Sequence, residues 1–202
     1  MSINQVVPLI ESQVEAAAQV LALALHDDPL AVYILPDAQE REQRLPVFFV
    51  PDIRAGYLFG EVFTTPGNPE GVAVWQLPGK DITPEQAKEA GYHQKSILGK
   101  DTLQKLGRVF DYLGEFHHSA LPSEHWYLNA LGVTPTRQRQ GLGQALLHPV
   151  LERMDAMGLP CCVDTFSAQR IPFYQKLGFR TLVETIEPES KLRIWTLCRD
   201  PS

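Results

Sequence analysis

Residues 126–146, WYLNALGVTPTRQRQGLGQAL, pass from an apolar run of strand character through a polar loop into a helical stripe. Trp126 to Val133 reads as a strand. Leu142, Ala145, Leu146, Val150, Met154 and Met157 recur at three- and four-residue steps and predict the helix that follows. Between them lies Gln138-Arg139-Gln140-Gly141-Leu142-Gly143. Its two glycines let the chain turn sharply and bring successive backbone N–H groups close to an anion. The first amides of the next helix have no intrahelical partner, and its dipole favours negative charge there. Arg137 and Arg139 add positive charge beside them. A strand–loop–helix of this kind is built to hold a pyrophosphate.

The flanks separate the nucleotide binders that share this logic. A dinucleotide fingerprint needs a third glycine, where this chain has Leu146, and needs its glycines directly after the strand, where Thr134 to Gln140 intervene. Asp164 falls near the spacing of the ribose-binding acid, but the other two departures disfavour NAD and FAD. No G-x-x-x-x-G-K-[ST] occurs, which excludes a P-loop.

With 202 residues and 44% hydrophobic content the chain is expected to form one domain, 1–202. A formal charge of −6 argues against nucleic acid as a partner and is easier to reconcile with a cationic or neutral substrate. Cys161, Cys162 and Cys198 have no paired spacing and read as buried, reduced thiols. The start MSINQVVPLI lacks a basic region followed by a long apolar core, and no window approaches a membrane span, so a cytoplasmic protein without a membrane partner is expected.

Along the first half, Gln5 to Leu9 reads as a strand and Ser12 to Glu15 as a capping box. The helix that follows has its stripe at Val14, Ala18, Leu21 and Leu25 and is stopped by Asp27-Asp28-Pro29. Leu30 to Leu35 reads as a short helical turn. Pro46 and Pro51 are expected to break the helical pattern of 40–59 into pieces. Gly60 to Thr65 and Val72 to Leu77 form a hairpin, and Thr83-Pro84 opens a helix that Gly91 ends. From there to Pro122 the chain reads as helical and poorly patterned, suited to a substrate-facing layer.

In the second half, Cys161 to Thr165 is a strand, Ala168 to Leu177 a helix, Gly178-Phe179 the start of another strand, and Leu192 to Leu197 the last. Strand–helix–strand order with an early hairpin predicts an α/β (α+β) domain with a mixed sheet flanked by helices. Gly132 inside a strand marks a bulge or a close backbone approach, or is simply the strand end before Thr134-Pro135. Pro149 should kink its helix.

The segment from Tyr127 to Arg180 resembles the acetyl-CoA-binding half of the GCN5-related N-acetyltransferases (GNAT). It carries the Q/R-x-x-G-x-G/A pattern at Gln138 to Gly143 and the ending Phe173-Tyr174-Gln175-Lys176-Leu177-Gly178-Phe179. Asp28-Pro29, Ala73-Val74-Trp75, the Trp126-Tyr127-Leu128 strand and Pro172-Phe173-Tyr174 look most like the puromycin N-acetyltransferase type. The resemblance implies a cofactor-binding half at about 125–185 and a substrate-facing half at about 1–124.

It further implies that Leu131, Gly132 and Val133 pair with a pantetheine arm, that Gln138 and the amides of Arg139, Gln140, Gly141, Leu142, Gly143 and Gln144 hold a pyrophosphate, and that Tyr174 sits near the CoA sulfur. Where the family often has an asparagine contacting the cofactor, this chain has Ser167, expected to supply a weaker hydrogen bond to it, and Arg170.

Direct transfer needs a neutral amine and a proton for the departing thiolate. A tyrosine, with an ordinary pKa of about 10, suits the second task, so Tyr174 is the candidate acid; its alternative role is a core aromatic beside Phe173 and Leu177. An alkylamine with a pKa near 10.4 is neutral about once in 2,500 molecules at pH 7, which calls for a base. Asp164 and His125 are the candidates. His117 and His118 point only faintly to a metal, since adjacent helical side chains diverge and no third ligand is apparent, so none is expected.

The expected activity is acetyl transfer from acetyl-CoA to a primary amine of a small molecule. The alternatives are a protein N-acetyltransferase or a non-catalytic acyl-CoA-binding module. The sequence does not name the amine or the oligomeric state.

Overall fold

The structure is a computed structural model and describes residues 4–202. In chain order the elements are β1 (Val7–Pro8), a 3₁₀ turn (Glu11–Gln13), α1 (Val14–Ala24), α2 (Pro29–Ile34), α3 (Ala38–Phe59), β2 (Glu61–Thr64), β3 (Gly71–Gln76), α4 (Pro84–Glu89), a 3₁₀ stretch (Tyr92–Leu98) and α5 (Lys100–Ala120). Then come β4 (Trp126–Val133), a 3₁₀ turn (Pro135–Arg137), α6 (Leu142–Met157), β5 (Cys161–Thr165), a 3₁₀ turn (Ala168–Arg170), α7 (Ile171–Gln175), β6 (Arg180–Ile186) and β7 (Arg193–Arg199).

Among the described residues the strands form one seven-stranded sheet in the order β1-β2-β3-β4-β5-β7-β6. Strands β1 to β4 run antiparallel, β4 and β5 are parallel and joined through α6, and β7 is antiparallel to both its neighbours. The mixed sheet is therefore as expected.

Strand β3 shows why the core lies on both faces. Its run Gly71-Val72-Ala73-Val74-Trp75 is buried throughout rather than alternating. Val72 and Val74 pack with α1, α2 and α3, while Ala73 and Trp75 pack with Leu142, Leu146 and Val150 of α6 on the other side. Burial of each such side chain is worth roughly 1.5–3 kcal/mol.

That gain also explains α3, which runs unbroken through Pro46 and Pro51. Each proline costs about 3 kcal/mol in a helix interior, but Leu45, Phe48, Phe49, Val50 and Ile53 are all buried by the continuous helix. Asp37 caps its start, accepting from the Glu40 N–H at 2.8 Å. Tertiary packing overrides the two breakers.

Other expectations shift in detail. The capping box lies in the 3₁₀ turn ahead of α1 rather than at Ser12 to Glu15: Gln13 Oε1 accepts from the Ile10 N–H at 3.1 Å. The stripe of α6 is buried as far as Met154, whereas Met157 is exposed. Helix α5 is well patterned, because Thr102, Leu106, Val109 and Leu113 are buried at steps of four, three and four. The polar Thr102, donating to the Ile34 carbonyl, hides the start of that stripe.

Cys162 and Cys198 are not reduced thiols but a disulfide. Antiparallel pairing of β5 with β7 sets them opposite one another across 36 residues of sequence, a relation their spacing does not reveal. Such a bond persists in oxidising surroundings and opens to a thiol pair in a reducing cytoplasm. Cys161, pointing to the other face, is the free thiol, buried so that its pKa is pushed up and it stays protonated. No helix among the described residues is long and apolar enough to cross a membrane.

Candidate active site

The site begins where β4 and β5 part. They pair only at Trp126–Cys161, Tyr127–Cys162 and Leu128–Val163. Beyond that, β4 continues to Val133 against β3 alone, and β5 continues to Thr165 against β7 alone. The cause is a bulge: Val74 faces Ala130 but Trp75 faces Leu128, so Asn129 is the additional residue. A bulge increases local twist and swings the rest of its strand away from its neighbour.

Gly132 is therefore not the bulge, and the close-approach reading of it holds. A Cβ there would lie 2.8 Å from Leu21 Cδ2 and 2.9 Å from Ala24 Cβ, so its absence lets α1 pack directly on the strand. The result is a wedge in the sheet with the backbone of 129–133 along one lip.

The loop after β4 follows the anion-cradle pattern. Arg139 (φ 60°) and Gly141 (φ 82°) take left-handed conformations that reverse the chain into α6, whose first-turn amides belong to Leu142, Gly143 and Gln144. Side chains brace the turn. Gln138 Nε2 donates to the Val133 carbonyl at 3.0 Å, Gln140 Nε2 to Thr136 at 2.9 Å, and Asn4 Nδ2 to Gln140 at 2.9 Å.

Arg137 serves the framework, since its Nη1 lies 2.7 Å from Glu70 Oε2. The two glycines differ as well. Gly141 needs its positive φ, whereas a Cβ on Gly143 would meet Phe173 at an ordinary 3.5 Å.

Between this wedge and helices α2, α3 and α5 lies a cavity of about 630 Å³. Ile34, Phe48, Phe49, Leu106, Phe110 and Leu113 give it an apolar wall, and Ala130, Leu131, Val163 and Thr165 bring both lips of the wedge into its lining. Tyr174 lines it from α7. This residue is also buried in core contacts, edge-on to Phe173 at 5.1 Å and to Phe179 at 5.6 Å. Burial pushes its phenol pKa up, with Arg170 pulling weakly the other way, so the hydroxyl holds its proton.

Asp164 lies in the same wall with a nearly buried side chain. Its Oδ2 accepts from Tyr127 Oη at 2.6 Å and from His117 Nε2 at 2.8 Å, and its Oδ1 accepts from Thr196 Oγ1 at 2.5 Å. With both oxygens engaged, Asp164 is placed to orient the imidazole: donation from Nε2 leaves Nδ1 as the ring's acceptor. Burial and then the Asp164 charge push the Tyr127 pKa up.

His125 stands apart. Its Nδ1 donates to the Pro122 carbonyl at 2.7 Å, and it does not line the cavity. Ser167 sits at the exit of β5, its N–H donating to Thr165 Oγ1 at 3.2 Å. No cluster of metal-ligating groups occurs among the described residues, and the side chain of His118 lies outside them.

His117 is the residue that sequence reasoning took for something else. The signal was present: Leu103, Leu106, Phe110 and Leu113 form the cavity face of α5, and His117 continues the same stripe by one step of four.

Two further ion pairs line the chamber. Asp28 caps α2, accepting from the Leu30 N–H at 2.9 Å, and receives Arg170 at 2.5 Å. Asp52 on α3 receives Lys95 at 2.9 Å.

The site thus combines a splayed parallel pair, a glycine-bearing turn at a helix start and a buried tyrosine beside an apolar chamber. Residues 101–181 match the family model described as an acetyltransferase (GNAT) domain. The fold is similar to that of an HPA2-related acetyltransferase from Corynebacterium glutamicum (TM-score 0.66, 18% identity, 98% of this chain and 96% of that one). It is also similar to arylalkylamine N-acetyltransferase 2 from Aedes aegypti (0.61, 14%, 98% and 99%) and to the Drosophila melanogaster polyamine N-acetyltransferase that forms N-acetylagmatine (0.59, 21%, 97% and 100%).

A probable serine/threonine-protein kinase of Dictyostelium discoideum is 29% identical over 112 residues. The chain spans only 12% of that protein's length.

Proposed function

We propose that this protein transfers an acetyl group directly from acetyl-CoA to the primary amine of a small molecule. The observation that carries the reading is the single chamber lined at once by the lips of the wedge, by Tyr174 and by the His117–Asp164 pair. Its enclosure by α2, α3 and α5 favours a small acceptor over a protein chain.

Acetyl-CoA, when bound, would supply the acetyl thioester. The backbone groups of Leu131 to Val133 pair with its pantetheine arm, and the amides of 139–144, with Arg139 beside them, receive the pyrophosphate. His117 Nδ1 takes a proton from the incoming ammonium, while Asp164, bonded to Nε2, fixes the tautomer. Asp164 is thus a positioning residue, and the base is one helix turn beyond the apolar stripe rather than at His125. Tyr174 holds its proton at working pH and gives it to the departing sulfur.

The test is release of free CoA from acetyl-CoA with a panel of primary amines, alongside melting curves with acetyl-CoA and with NAD(P). Turnover with a melting shift specific to acetyl-CoA is expected. Binding of acetyl-CoA without turnover on any amine would favour the non-catalytic alternative.

A further inference from the structure

The chamber's charges are distributed unevenly. Of its three carboxylates, Asp28 is matched by Arg170 and Asp52 by Lys95, while Asp164 has no lysine or arginine among its partners. The Asp52 pair is also an unusual object to find against an apolar wall. Lys95 Nζ lies 2.9 Å from both Asp52 oxygens, 4.1 Å from the centroid of Phe48 and 4.6 Å from that of Tyr92.

A carboxylate with two aromatic faces around one point is the chemistry that recognises an ammonium ion. Lys95 and Asp52 are only 12% and 20% exposed, and all four residues line the chamber. Burial, and then the Asp52 charge, push the Tyr92 pKa up, so its hydroxyl stays protonated and neutral.

The geometry points to a second ammonium subsite, built from Asp52, Phe48 and Tyr92, that the chain fills with its own Lys95. This rests on the amine-acetylating reading above and sharpens its substrate class. The acceptor is a monoamine with a long apolar body, and Lys95 excludes diamines and polyamines by occupying the place of their far ammonium.

Helix α5 sets the scale. The 3₁₀ stretch carrying Tyr92 and Lys95 leads into its start, and His117 lies near its end. From Leu103 to His117 the helix rises roughly 20 Å at 1.5 Å per residue, and its cavity face along that length is Leu103, Leu106, Phe110 and Leu113. An acceptor whose amine sits at His117 extends its chain along this face. A chain ending in a methyl group loses no hydration there. One ending in an ammonium must displace Lys95 or bury a charge without a partner.

The experiment pairs n-alkylamines with α,ω-diaminoalkanes of matching chain length, and includes spermine. The wild-type protein is expected to prefer the monoamine by about tenfold or more in kcat/KM. Lys95→Met takes the ammonium out of the cage, leaving a flexible uncharged side chain that can swing aside and an unmatched Asp52, so the ratio should shift toward the diamine by about tenfold. Lys95→Arg, which refills the cage, should keep the wild-type preference, and Asp52→Asn with Lys95→Met should not gain the diamine.

A readout that needs no transfer accompanies it: a long diamine should raise the melting temperature of Lys95→Met more than the matching monoamine does. Equal use of both amine classes by the wild type overturns the inference while leaving acetyl transfer in place. So does a folded Lys95→Met with the wild-type ratio and no diamine-specific melting shift. Absence of transfer to any amine strikes the proposed function instead, and the melting comparison still decides the cage. Should Lys95→Met not fold, the wild-type ratio decides.

Discussion

The two halves of this molecule expose different parts of the chain. From β4 through α7, the surface offered is mostly backbone: the lip of 129–133 and the amides around Gly141. In the chamber under α3 and α5, it is side chains brought from distant parts of the sequence: Asp52 from α3, Lys95 from a 3₁₀ stretch, His117 from α5, Asp164 from β5. The difference teaches where each function is vulnerable. Backbone recognition depends on conformation at a few positions and tolerates most side chains, whereas the chamber depends on the groups themselves.

The sharpest test of that contrast lies in the chamber. Tyr174→Phe removes one oxygen and keeps the ring in its contacts with Phe173 and Phe179. Loss of a general acid costs roughly 10²–10⁴ in rate, so kcat should fall by at least about tenfold while affinity for acetyl-CoA, measured by calorimetry, stays unchanged. An undiminished kcat returns Tyr174 to a purely structural role. His117→Ala should lower kcat/KM for the amine comparably. Asp164→Asn should do less, since it removes the orienting charge and leaves the imidazole in place.

The same contrast explains what could be read before the structure. A loop whose chemistry is backbone announces itself through its glycines and the elements on either side, so Gln138 to Gly143 was legible, as was the strand Trp126–Val133. Even so, the bulge lay at Asn129 and not at Gly132, because register slips carry no residue signature of their own.

The chamber was far less legible. His117 and Asp164 are 47 residues apart, and only the packing of α5 against β5 brings them to hydrogen-bonding distance. Cys162 and Cys198 were missed for the same reason. Two of the motifs that suggested the puromycin type turn out to be framework: Asp28 caps α2 and holds Arg170, and Ala73-Val74-Trp75 is buried on both faces of the sheet.

The cofactor half proposed above is tested by a pair of substitutions that separate conformation from charge. Gly141→Val forces a β-branched residue into a positive φ, at roughly 1–3 kcal/mol, and should weaken CoA binding by about 5- to 150-fold. Arg139→Ala removes an exposed charge, worth about 1 kcal/mol or less, and should weaken it only severalfold. Gly143→Ala, with ordinary contacts at its Cβ, should bind as the wild type does. A larger loss for Arg139→Ala than for Gly141→Val would mean that this half also works through its side chains.

The smallest effect concerns how the sheet end is fastened to α6. Arg199 at the end of β7 makes a two-pronged bond to Asp155, with Nη1–Oδ1 at 2.9 Å and Nη2–Oδ2 at 2.8 Å, and the Ser202 N–H donates to Oδ1 at 2.8 Å. The Arg199 bond is the main reason that the Asp155 pKa is lowered from its usual 3.8 to about 2. A depressed carboxylate pKa stabilises the fold fully above the unfolded value, and that contribution is lost as pH falls through the folded one. The window therefore runs from about pH 4 down to about pH 2. Asp155 is a quarter exposed, so solvent screens the pair and its contribution should be under about 1 kcal/mol. Urea unfolding of the wild type and of Asp155→Asn should differ by that amount near neutral pH and converge on acidification. An equal gap at both ends would show that the bond fastens the helix by geometry alone, as the backbone does in the loop at its other end.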